Sequence, residues 1–149
     1  MDNNIQKELE NYKRKTKVVY IAAIINALAV AIVGYIIAGL DLWAIKNTIP
    51  QSIAILMMLA VIPISLKFSK KKFDEILSNN QYPETWKIQQ LAKLYILKAV
   101  TNLLVMTILA TVYAITKDTS ILYCELIVGI VLIFFCKPDK LEINEEVEQ

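Results

Sequence analysis

The stretch VVYIAAIINALAVAIVGYIIAGL, residues 18–40, decides the fold of this chain: it contains no charged residue and a single amide, Asn26. A bilayer core is about 30 Å thick and takes about 20 apolar residues in α-helix to cross, so this run is long enough to be a transmembrane span. Inside hydrocarbon the backbone must satisfy its own hydrogen bonds, which an isolated stretch can do only as a helix. Lys13, Arg14, Lys15 and Lys17 stand immediately before it, an arrangement that also opens a cleavable signal peptide. Signal peptides, however, have apolar regions of about 7–15 residues and a small-x-small cleavage site. This run is longer and reaches Asp41 without such a site, so it reads as a retained anchor.

Outward from that span, three more apolar runs cover 49–66, 95–115 and 119–136. The second and fourth are short, which amphipathic flanks or local bilayer thinning accommodates. Apolar residues make up 56% of the 149-residue chain and mean hydropathy is +0.49, more than a water-soluble globule of this size buries. The expected fold is all-α: a polytopic membrane protein with four transmembrane helices in an antiparallel bundle, one membrane domain over residues 1–149.

Net charge is only +2, but its distribution is uneven. Five basic residues lie in 1–17 and seven in 67–98, and Lys137 and Lys140 follow the last span, whereas the alternate connections hold only Lys46 and Lys117. Basic flanks stay on the cytoplasmic side, so both termini are expected inside. Heavy use of Ile, Asn and Lys with a single Arg fits an AT-rich bacterial genome and makes the cytoplasmic (inner) cell membrane the expected address. The outer connections, 41–48 and 116–118, are short and predict spans one and two, and spans three and four, as antiparallel neighbours.

The central connection, 67–94, keeps apolar residues at helical spacing on both sides of a turn-forming SNNQYP cluster at 78–83. Phe73, Ile76 and Leu77 share one face, as do Ile88, Leu91 and Tyr95. A cytoplasmic helical hairpin extending spans two and three is expected, with a new helix starting at Glu84. The rival arrangement lays these segments flat on the membrane, with Lys70–Lys72 on anionic headgroups. Residues 1–15 place Ile5, Leu9 and Tyr12 at helical spacing, consistent either with a short amphipathic helix or with a frayed end. The tail 139–149 is acidic and reads as solvated.

Chemistry is sparsely signalled. There is no histidine, which removes the commonest general base and metal ligand. Cys124 and Cys136 lie about 18 Å apart along one helix and cannot bridge within it; they read as small hydrophobes. No phosphate loop, nucleophile elbow or carboxylate pair is present, and no cofactor is implied. The Lys70–Lys72 run beside a span is a topology signal rather than a nucleic-acid site.

Polar groups inside hydrocarbon are costly and therefore candidates for function. Glu125 sits about 10 Å into span four from the outer end, and Asn26 and Asn102 lie in spans one and three. Together they are the candidate ligand or ion site, for protons, cations or a small solute. The plainer reading joins helices through Asn26, Thr101, Asn102, Thr107 and Thr111 by interhelical hydrogen bonds and lets Glu125 snorkel or bond to a neighbour. Ala23, Ala27, Ala31, Gly34 and Ala38 form a small-residue stripe that admits a close neighbour, within the chain or in a second copy. Pro63 predicts a kink in span two. Tyr35, Trp43, Trp86, Tyr95, Tyr113 and Tyr123 are expected as interfacial anchors.

The functional expectation is a small non-enzymatic membrane protein, self-associating or part of a larger assembly, that presents its hairpin to a cytoplasmic or membrane partner through Phe73, Ile76 and Leu77. The alternative is a small channel or transporter using Glu125.

Overall fold

A computed structural model describes residues 3–40, 48–79 and 81–138. It contains four α-helices: α1 Asn3–Gly39, α2 Ile49–Ser78, α3 Glu84–Thr116 and α4 Thr119–Phe135. Trp43, Lys46 and the acidic tail 139–149 lie outside the described residues. At about 1.5 Å per residue, α1, α2 and α3 are about 55, 45 and 50 Å long, and each is long and apolar enough to cross a membrane. The fourth helix has 17 residues, about 25 Å of helix.

Local chemistry sets the ends of these helices. Pro50 occupies the first turn of α2, where its missing N–H would have had no helical partner. The expected break between the second and third helices is present: α2 stops at Ser78, Asn79 Oδ1 accepts from the backbone N–H of Gln81 at 3.0 Å, and Pro83 precedes α3. Lys117 ends α3 in the left-handed region (φ 54°) and donates its N–H to Tyr113 O at 2.8 Å. Asp118 then caps α4 by accepting from Ser120 N at 2.8 Å. Pro63 lies inside α2, which continues through it.

The centre of the bundle is α3, which packs against each of the other three helices. The sequence expectation that spans one and two are neighbours is not met, because among the described residues the backbones of α1 and α2 nowhere approach each other. A short connection ties the ends of two helices but does not choose their packing faces. That choice falls to the small-residue stripe of α1, whose Ala23, Ala27, Gly34 and Ala38 are buried. A Cβ added to Gly34 would lie 3.1 Å from Ala110 O, so the two backbones are nearly in contact there. Near its start α1 places Tyr12 in one cluster with Ile88 of α3. These two pairs are equally separated in sequence, so α1 and α3 run parallel in constant register.

The main core gathers Ala54, Met58 and Ile62 of α2, Val105 and Leu109 of α3, and Ile121 and Val128 of α4. A second cluster lies at the other end, where Tyr12, Ile88 and Leu91 are buried and Ile5, Leu9, Phe73 and Ile76 pack around them. Residues 3–15 are thus neither a separate helix nor a frayed end. They are the first turns of α1, held in a three-helix group with the end of α2 and the start of α3. Lys87, 6% exposed, is part of this region and forms an ion pair with Glu84 at 2.9 Å.

Candidate functional site

The last turn of α4 is where side chains from three helices converge. A helix leaves its final carbonyls without intrahelical donors, and in hydrocarbon each would cost several kcal/mol. Two phenols supply what is missing. Tyr20 of α1 donates to Ile133 O at 2.7 Å, and Tyr95 of α3 donates to Cys136 O at 2.6 Å. Asn102 Nδ2 donates to Lys98 O at 2.8 Å and reaches Cys136 Sγ at 3.3 Å. Tyr95 and Tyr113 are both buried, so neither ring is a lipid anchor, whereas Tyr35 and Tyr123 are exposed.

Glu125 lies on the buried stripe of α4, with Ile121, Val128 and Leu132. It is 2% exposed, and neither carboxylate oxygen has a hydrogen-bond partner. Snorkelling is therefore not what this side chain does. Asn102 is fully buried and its Oδ1 also has no partner. The two residues are not neighbours in depth: Asn102 is level with Cys136, and Cys136 lies about 16 Å along α4 from Glu125. Asn26 is exposed and donates to Ala22 O of its own helix at 2.8 Å. The three candidate ion-site residues are thus not brought to one place. Thr101, Thr107 and Thr111 likewise bond to carbonyls four residues back on α3, so the expected interhelical bonds are absent from them. Only Asn102 in that set reaches another helix. Among the described residues no three Cys, Asp or Glu side chains are grouped to hold a metal ion.

Below the end of α4, the other three helices continue and leave a cleft of about 340 Å³. Its lining includes Tyr12 of α1, Lys70 and Phe73 of α2, and Leu91, Tyr95 and Lys98 of α3. It lies on the face of α3 that carries α4 higher up, so it continues the slot that α4 occupies. The partner-face residues divide here. Phe73 and Ile76 are half-buried against the chain's own Tyr12 cluster, while Leu77 remains 43% exposed. At the nearby tip Tyr82, 44% exposed, stacks on Trp86 with ring centroids 4.1 Å apart.

Against protein-family models, curated proteins and solved structures, the chain has no match. Sequence reasoning missed Tyr20 and Tyr95 as helix-end donors. The available signal was position: Tyr20 and Tyr95 stand at one end of the apolar runs of α1 and α3, level with the end of α4.

Proposed function

We propose that this chain is a non-enzymatic inner-membrane protein that crosses the bilayer four times, keeps both termini in the cytoplasm, and acts as a binding subunit or self-associating scaffold. What supports the fourth crossing is the register of α4. It descends α3 from the Lys117 turn to the level of Tyr95 and Asn102, the same depth as the apolar run 95–115. If α3 crosses, α4 returns through the same layer. The split of basic residues supports the orientation.

The partner surface is the tip of the cytoplasmic stalk, and the observation that carries it is the Tyr82–Trp86 stack, with Tyr82 exposed, five residues after the exposed Leu77 in the last turn of α2. Tyrosine and tryptophan, rigid and amphipathic, are among the usual anchors of protein interfaces. Packing of α1 against the base of the hairpin holds this tip in place before a partner arrives, which lowers the ordering cost of binding. A photo-crosslinking residue at position 82, expressed in living cells, should give a discrete adduct that Leu77→Ser removes without affecting membrane insertion. No adduct, or one indifferent to that change, overturns the proposal.

Transport is the second reading, favoured by one observation: Glu125 is enclosed without a partner for either oxygen. A buried acid of that kind is a place where a proton or cation can bind. Purified protein in liposomes should then conduct protons or small cations, and Glu125→Gln should reduce that flux; no flux, or no effect of the change, removes this reading.

A further inference from the structure

The cleft beneath α4 combines charge with an apolar wall at one depth. Lys98 of α3 and Lys70 of α2 line it, and Asp74 lies on the same lining. The ion pairs among the described residues are Lys72–Glu75 and Lys87–Glu84, so neither cleft lysine pairs with a carboxylate of the described residues. Phe73, Leu91 and Leu94 supply the apolar wall. Residues of this lining adjoin the inner ends of spans two and three, where Lys67 and Lys93 also sit. This is the headgroup layer of the cytoplasmic leaflet on the topology proposed above, a reading on which the inference rests.

We propose that this cleft is a binding site for one anionic phospholipid, its phosphate held between Lys70 and Lys98 and the upper part of an acyl chain lying along Phe73, Leu91 and Leu94. Two ammonium groups with one carboxylate leave a net positive site, which selects an anion. The apolar wall selects an anion that carries hydrocarbon. The cleft exists because α4 ends about 11 residues above the start of α3, by the spacing of Tyr95 and Glu84, and a lipid is the solvent available to fill a slot open at that level.

The test is native mass spectrometry of the full-length protein in detergent with phosphatidylglycerol, and in parallel with phosphatidylcholine and with inorganic phosphate. One phosphatidylglycerol per chain is expected to remain bound. The double variant Lys70→Gln/Lys98→Gln should weaken retention about 30-fold, from the contribution of a lysine near a headgroup taken twice. Leu94→Trp should block retention by filling the cleft while leaving its charge intact. Lys71→Gln/Lys137→Gln removes the same charge outside the cleft and should retain the lipid. Equal retention of phosphatidylcholine, or of phosphatidylglycerol by the cleft variants, overturns the proposal. Inorganic phosphate bound as tightly as the lipid also overturns it and makes the cleft a free-anion site. Binding seen only after deletion of 139–149 overturns it in favour of the chain's own acidic end. Reporter fusions at Thr48 and Lys117 test the topology separately, so a reversed orientation is distinguishable from an empty cleft.

Discussion

The Tyr95 hydroxyl donates to the carbonyl oxygen of Cys136 across 2.6 Å, joining the middle of α3 to the end of α4. Both groups are buried, so no water replaces the phenol when it is removed. Tyr95→Phe keeps the ring and strands the carbonyl, and the expected loss is about 1–3 kcal/mol, the cost of an unsatisfied buried polar group. Thermal unfolding in detergent should show a clear fall in Tm. Because Tyr20 secures Ile133 O separately, adding Tyr20→Phe should lower Tm again. An unchanged Tm in the double variant would mean that these carbonyls have other donors.

The close approach of α1 and α3 makes an ordered prediction for the glycines. A methyl at Gly34 meets Ala110 O at 3.1 Å, one at Gly129 meets Met106 Cε at 3.8 Å, and one at Gly39 meets nothing within 4 Å. A backbone carbonyl cannot yield as a methionine tip can. Gly34→Ala should therefore be the most destabilising of the three alanine variants, and Gly34→Leu should cost about 1–3 kcal/mol or more by overpacking. Gly39→Ala should be neutral. Equal Tm values across the series would show that α1 does not lie against α3 as described.

How much of this was legible beforehand follows from which interactions are local. Long apolar runs announce helices one by one, and the 78–83 turn is written in residues that cannot continue a helix. Both predictions were local and both correspond to elements in the structure. Helix pairing is different, because the stripe through Ala23, Ala27 and Gly34 declares a close neighbour without naming it. The chain chose α3, which no loop length implied. The same limit applies to the candidate site: Glu125 could be singled out by its neighbours in sequence, but its burial without a partner depends on the packing of α4 against other helices. Phe73 and Ile76 looked like a free face because the residues that cover them, Tyr12 and Leu9, lie about 60 positions away.

Glu125 should carry a measurable stability cost. A carboxyl group that is 2% exposed and has no hydrogen-bond partner loses its solvation and regains nothing in the fold. Glu125→Met, similar in length and able to fill irregular space, should raise stability by about 1–3 kcal/mol, read as a higher Tm in detergent. Where the carboxyl binds a proton or cation, as the transport reading has it, the same variant is expected to lose function in cells. A lower Tm in Glu125→Met would indicate a partner for the carboxyl and would remove the main support for a transport role.

The first turns of α1 offer the sharpest structural test of the stalk. Tyr12 is 4% exposed among Ile88, Leu91, Phe73 and Ile76, and Thr16 beside it is buried with its hydroxyl donating to Tyr12 O at 2.8 Å. Truncating a buried aromatic side chain costs about 3–5 kcal/mol, more than a few terminal helical turns can supply by propensity alone. In Tyr12→Ala the segment before the membrane should therefore detach while the transmembrane packing of Gly34 on Ala110 remains. Trypsin acting at Lys7, Lys13 and Lys15 reads this directly, since cleavage requires local unfolding of the helix. The parent protein should resist cleavage there and the variant should lose its N-terminal segment within minutes, with the remaining chain intact. Because detachment also uncovers Phe73 and Ile76, adducts formed at position 82 should change in the same variant. Equal protease resistance in the two proteins would show that α1 stands without the cluster.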